Sequence, residues 1–154
     1  MAAKAGQWQD VVKIGRTHLE DAVPLTVGQE WSGYATQLVQ ATDRISHAAE
    51  GLYELAAGGT AVGTGLNAPG GFGEQIAAEI ASATGYPFRT AVNKFAAQGS
   101  LDAMTAASAG LPGLAVALMK IANDIRWLAS GPRCDLSELT RPRTSPGPRS
   151  CPAR

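Results

Sequence analysis

The chain has 154 residues, with 13 basic and 13 acidic side chains and a formal net charge of zero. This balance leaves no overall electrostatic footprint, so neither nucleic acid nor membrane is predicted as a partner. Two cysteines without a partner at zinc-site spacing predict free thiols and no metal site. No run is expected to approach the roughly 20 apolar residues of a membrane span, and no secretory signal is recognisable, which predicts a cytoplasmic protein.

The sequence divides into three predicted parts. Residues 1–26 are a lead-in segment that is expected to be irregular, and 27–140 form a central helical domain. Residues 141–154 contain four prolines and almost no large apolar side chains, so this tail is predicted to be disordered. The abrupt change to Arg, Pro and Ser at the tail suggests translation in a shifted frame or a damaged gene end.

A long amphipathic helix is predicted to begin after Thr26, a candidate N-cap whose capping box Gln29 would complete. Its apolar and alanine positions step by four and three residues, which is typical of a helix in a bundle. These positions are Val27, Trp31, Tyr34, Leu38, Ala41, Ile45, Ala48, Leu52 and Leu55. The pair Gly58 and Gly59 is expected to end this helix.

A second long helix is predicted from Leu101 to Leu128, with a bend rather than a loop at Pro112. A shorter helix between the two long ones begins near Phe72 and is closed by Gly85. Three helices cannot cover both long apolar stripes, so packing against further helices, in missing parts or in other subunits, is predicted. A self-contained three-helix bundle is the alternative.

Two features of the sequence could carry chemistry. His18 can hold or release a proton near neutral pH, although a structural, hydrogen-bonded histidine is the alternative. The stretch "GGTAVGTGLN", Gly58 to Asn67, has four glycines and invites a phosphate-loop interpretation. No strand is predicted before it and no Gly-Lys-Ser/Thr follows it, so a tight turn that lets backbones pass closely is favoured.

Four segments together resemble, in order and spacing, the central region of class II fumarases in the fumarase/aspartase superfamily. They are "KIGRTHLEDAVPLTVGQE", "LAAGGTAVGTGLN", "AVNKFAAQ" and "LMKIANDIRWLASGPRC", and the resemblance covers about Val11 to Glu138. It implies an all-α fold, in which long helices form a helical-bundle core. It also implies a homotetramer in which each active site is drawn from three subunits.

The resemblance implies reversible hydration of fumarate to (S)-malate in the tricarboxylic acid cycle, on a dicarboxylate substrate and without metal or cofactor. Thr17 would bind the substrate, and His18 would take part in proton transfer through the active-site water. The family's catalytic serine lies on a loop whose motif this sequence lacks, so the role passes to neither Ser145 nor Ser150. The chain alone is therefore predicted to be inactive.

Two alternatives to a fumarase remain. Aspartate ammonia-lyases are similar, but they carry glutamine where His18 stands and a Gly-Ala pair where Gly58 and Gly59 stand, so both positions favour fumarase. Glu20 replaces a usual glutamine and adds a charge near the site. In the other alternative the chain is a non-catalytic helical assembly module, in which the apolar stripes matter and His18 is incidental.

Overall fold

The computed structural model of the chain describes residues 1–131, 133 and 136–140. The elements in chain order are α1 (Ala2–Gln7), β1 (Val12–Thr17), β2 (Glu20–Thr26), α2 (Val27–Ala49), a 3-10 turn (Glu50–Tyr53), β3 (Glu54–Leu55), α3 (Phe72–Thr84), β4 (Arg89–Thr90), α4 (Lys94–Gly99) and α5 (Asp102–Leu128). The chain is therefore mainly helical, as predicted. The predicted disordered tail and both cysteines lie outside the described residues.

The lead-in segment is not irregular, because β1 and β2 form an antiparallel hairpin that pairs Val12 with Thr26 and Thr17 with Glu20. The prediction missed it because its charged and apolar side chains do not alternate between a buried and an exposed face, which is the usual sequence signal of a strand. The hairpin leads directly into α2.

The short helix α1 packs across the start of α2. A Cβ atom at Gly28 would lie 2.5 Å from the Cα atom of Gln9, so the two backbones meet at a residue without a side chain. The Trp8 and Trp31 rings contact each other edge to face, with centroids 5.0 Å apart. This contact fixes the chain on either side of the hairpin.

The predicted capping box of α2 is confirmed. The Gln29 amide N–H donates to Thr26 Oγ1 (3.1 Å), and the Thr26 amide N–H donates to Gln29 Oε1 (2.9 Å). The predicted end is wrong, since α2 stops at Ala49 and gives way to the 3-10 turn. The physical reason is tertiary: Glu54 and Leu55 pair in parallel with Arg89 and Thr90, and an extended strand cannot continue a helix.

The chain forms two compact units, Met1–Ala117 and Leu118–Arg154. In the first unit, α2 with its following 3-10 turn and the early part of α5 approach each other at two glycines. A Cβ atom at Gly51 would lie 3.3 Å from Ala103 Cβ, and one at Gly110 would lie 3.1 Å from Ile45 Cγ1. Gly51 belongs to the 3-10 turn after α2, and Ile45 lies in α2; since the later of these two residues meets the earlier α5 residue, the segments run antiparallel.

The two other predicted helices are present, while the bend predicted at Pro112 stays a prediction. The helix α5 is continuous through Pro112, so the proline introduces no loop. The helix α3 ends at Gly85, which takes the left-handed conformation with φ 73°. In the second unit, the Leu128 carbonyl accepts from the Glu138 amide (2.9 Å) and the Leu139 amide (3.0 Å).

Few of the described apolar side chains are buried. The buried ones are Tyr34, Ala41, Ala77 and Ala91 in the first unit and Ile121 and Leu128 in the second. Large apolar residues of α2 and α5 are exposed, among them Val39, Leu111 and Val116. With 27 residues, α5 is long and apolar enough to cross a membrane by length and composition alone, against our expectation that no such run exists. Only 6% of its apolar window is buried inside this chain.

Candidate functional site

Thr17 and His18 lie at the tip of the β1–β2 hairpin. His18 and Leu19 form its two-residue loop, and both have positive φ, 57° and 65°. Two consecutive residues with positive φ are the signature of a type I′ turn, which usually contains Asn and Gly. A left-handed conformation costs an ordinary residue roughly 1–2 kcal/mol, so this tip holds an imidazole in a strained turn.

A β-bulge lies just below the tip. Ile14 pairs with Pro24 and Arg16 pairs with Asp21, so β2 has one more residue than β1 between these pairs. A Cβ atom at Gly15 would lie 2.7 Å from the Val23 carbonyl oxygen, which leaves no room for a side chain there. Bulges increase the local twist and re-aim the residues beyond them, here the residues of the tip.

Two ion pairs lie along the hairpin. Lys13 Nζ is 2.9 Å from Glu30 Oε2, and this pair joins β1 to the first turn of α2. Arg16 Nε is 3.7 Å from Asp21 Oδ1, and Arg16 directly precedes Thr17. The tip therefore combines a hydroxyl and an imidazole, which can donate hydrogen bonds to an anion and exchange a proton, with a neighbouring guanidinium that is paired with Asp21.

Thr17 and His18 are exposed in this chain. An open depression of 340 Å³ lies at the junction of α1 and α2, and one of 570 Å³ lies along α3; neither is lined by the hairpin tip. Within residues 1–131, 133 and 136–140, no group of three or more His, Cys, Asp or Glu side chains could hold a metal ion. The tip therefore presents its functional groups outward, where another chain segment could enclose them.

At the glycine-rich stretch, two segments of backbone cross in close contact. A Cβ atom at Gly73 would lie 2.6 Å from the Ala57 carbonyl oxygen, so the stretch passes directly over the start of α3. A short strand, β3, does precede it, contrary to our expectation, although this strand pairs only with β4 among the described elements. The close backbone contact supports the tight-turn interpretation over a phosphate loop.

Helix α4 holds the glycine-rich stretch, a role that our sequence reasoning missed. Gln98 Nε2 donates to the Thr60 carbonyl (2.8 Å), and Thr60 has a positive φ of 56°. The Lys94 ammonium donates to Thr90 Oγ1 beside Gly73. Lys94 and Gln98 both belong to the segment "AVNKFAAQ", which was quoted for the resemblance. The sequence did not indicate that this segment contacts the glycine-rich stretch.

The protein family described as lyase matches residues 1–152, more than the four motifs cover. The chain is 65% identical to the class II fumarate hydratase of Methanosarcina acetivorans over 152 residues, 99% of this chain and 31% of that protein. It is 54% identical over 154 residues to the mitochondrial fumarate hydratase of Dictyostelium discoideum, all of this chain and 32% of that protein.

Among solved structures, the class II fumarase of Schistosoma mansoni superimposes with a TM-score of 0.86 at 41% identity. The superposition covers 99% of this chain and 35% of that one. The chain thus spans about a third of the length of the relatives it matches. It belongs to the lyase family, in the branch whose relatives are named class II fumarate hydratases.

Proposed function

We propose that this chain supplies one part of the active site of a fumarate hydratase, which interconverts fumarate and (S)-malate. One observation carries the proposal: His18 lies in an outward-facing, strained turn directly after Thr17, in a chain 65% identical to a class II fumarate hydratase. A strained conformation persists only where the surrounding structure holds it against its cost in stability. Such conformations cluster at functional sites.

The tip has the groups that such a reaction needs. Fumarate carries two carboxylates, and the Thr17 hydroxyl can donate a hydrogen bond to one of them. Removing a carbon-bound proton from malate adds negative charge to this dianion, so donors and cations held in advance stabilise the transition state. Arg16 lies directly before Thr17 but is paired with Asp21. Glu20 adds a second carboxylate at this end of the hairpin, so further cations would come from other segments.

His18 serves in proton transfer through a water molecule. In the hydration direction, the water oxygen bonds to one carbon of the double bond, and the imidazole accepts the proton that the water loses. The other carbon receives its proton from a second group. In the family this group is a serine on a loop whose motif this sequence lacks. General acid-base help of this kind contributes about 10² to 10⁴ in rate.

The site is completed by other chains or segments. The tip is exposed, and so are apolar residues on α2 and α5 such as Val39 and Leu111. Burial of such stripes in a homotetrameric helical bundle would explain both features, and it explains the apolarity of α5 without a membrane. A cytoplasmic location is part of the proposal, although the relatives include proteins named mitochondrial.

A full-length chimera tests the proposal. Residues 1–140 of this chain would replace the matching third of the Methanosarcina acetivorans relative, and fumarate absorbance would report turnover. We expect hydratase activity, a loss of at least about 100-fold for His18→Asn with the assembly intact, and a raised KM for Thr17→Val. Full activity of His18→Asn would instead favour the assembly module, and ammonia release from aspartate would favour an ammonia-lyase.

The isolated chain offers a second test. It presents one contribution to a site that needs several, so we expect negligible hydratase turnover from it at any concentration at which the chimera is active. Turnover comparable to that of the chimera would contradict the proposed division of the site.

The tail, residues 141–154, lies outside the described residues. We propose that a shifted reading frame produces it, because its Arg, Pro and Ser content departs from that of the preceding chain. Genomic sequencing should show the family's serine loop in another frame, and a read without that loop in any frame would contradict the idea.

A further inference from the structure

We propose that Lys13 and Glu30 are positioning residues for the Thr17–His18 tip, an inference that rests on the proposed function. Lys13 Nζ lies 2.9 Å from Glu30 Oε2, with the two side chains only 9% and 23% exposed. Neither residue lies at the tip itself. Their contact joins the hairpin to α2, and the position of the tip depends on the angle between the hairpin and this helix.

Beyond the covalent link between Thr26 and Val27, two described contacts attach the hairpin to α2. At its base, the Val27 amide donates to the Val11 carbonyl (2.8 Å), which joins the backbones where β1 begins and α2 begins. The Lys13–Glu30 pair is the second point, two residues further along β1 and one turn further along α2. One point of attachment permits rotation of the hairpin, whereas two points fix its angle to the helix.

A small rotation at the base becomes a large displacement at the tip. Thr17 lies four residues beyond Lys13, a distance of roughly 13 Å along an extended strand. A rotation of about 10° would move the tip by about 2 Å, and a misplacement of about 1 Å can already lower a rate about 100-fold. The hairpin has little lateral support in the described chain, since Val12 and Val23 are 71% and 75% exposed.

The low exposure of the pair makes it sensitive to single substitutions. Removing one charge takes an ion-pair partner from a side chain that is partly withdrawn from water, which costs stability and removes the contact between the hairpin and α2. Removing both charges relieves this penalty but also removes the second attachment. Lys13 and Glu30 should therefore act together, and their effects on turnover should not add.

The experiment uses the full-length chimera with Glu30→Gln, Lys13→Met and the double variant. We expect each single substitution to lower kcat by about 10- to 100-fold with the assembly intact. The kcat of the double variant should be no lower than that of the less active single variant. Glu54→Gln is the matched control, because it breaks the exposed Glu54–Arg89 pair (3.1 Å) away from the hairpin, and it should leave kcat unchanged.

A second background separates positioning from a general structural role. If Glu30 acts through the tip, Glu30→Gln should cost little further activity once His18→Asn has removed the imidazole. Equal losses in both backgrounds, or kcat within twofold of the parent for both single variants, would overturn the inference while leaving the proposed function standing.

An unmutated chimera that assembles without turnover would overturn the proposed function, and the inference with it. If the large chimera does not assemble, a smaller graft of residues 11–30 into the same relative carries the same substitutions. This graft contains the hairpin, both positioning residues and the first turn of α2. The same criteria then apply to it.

Discussion

Gly58 and Gly73 pack backbone against backbone: a Cβ atom built at Gly58 would lie 2.9 Å from the Cα atom of Gly73. Gly58 also has a φ of 83°, a conformation that favours glycine. The glycine-rich stretch can therefore cross the start of α3 only because both residues lack side chains. This crossing also explains why the stretch contains glycine without any need for a phosphate ligand.

Substitution at this crossing should be costly. In Gly73→Ala the new methyl group would meet the Ala57 carbonyl oxygen at 2.6 Å, so we expect a loss of about 1–3 kcal/mol in the free energy of unfolding. Gly33→Ala is the control, since nothing lies within 4 Å of its Cβ position inside α2. It should gain about 0.5–1 kcal/mol. Urea denaturation measures both, and equal effects would contradict the crossing.

The strain in the hairpin turn should be measurable. Leu19 has a φ of 65°, so Leu19→Gly should raise the free energy of unfolding by about 0.5–1 kcal/mol after allowing for glycine's greater freedom in the unfolded chain. Leu19→Ala removes the side chain and keeps the strain, and it should show no gain. A gain of the same size for alanine would mean that the side chain, not the turn, is the cause.

The capping box predicts a specific loss of helix stability. Thr26→Ala removes the oxygen that accepts from the Gln29 amide and should cost about 1 kcal/mol. Thr26→Ser keeps the acceptor and should cost much less. Circular dichroism during thermal unfolding would compare the two variants, and indistinguishable midpoints would show that the hydrogen bond contributes little.

The exposed apolar residues predict self-association of the isolated chain. Val116 is 70% exposed and Leu111 is also exposed, both on α5. We expect light scattering to show concentration-dependent association at micromolar concentrations. Val116→Lys should weaken it, whereas Glu79→Lys, a change of charge on a different helix, should not. A monomer at all concentrations would contradict a role for this surface in assembly.

Local sequence signals predicted what local interactions decide. Thr26 and Gln29 marked the start of α2 because a capping box involves residues three apart, and Gly85 marked the end of α3 because its left-handed conformation suits glycine. The prediction of where α2 ends was wrong because β3 pairs with β4, whose residues lie about 35 positions further along the chain. No local signal at Leu52 or Leu55 reports that pairing.

The sequence by itself determined the mainly helical fold, the apolar stripes of α2 and α5, and the choice of Thr17 and His18 as candidate site residues. Only the tertiary structure showed that these two residues lie at the tip of a hairpin, with His18 in a strained turn and with Lys13 and Glu30 joining that hairpin to α2. Helical periodicity can be recognised from a few turns of sequence, because it depends on residues three and four positions apart. Strand pairing and a contact between residues 17 positions apart depend on how separate segments meet in space.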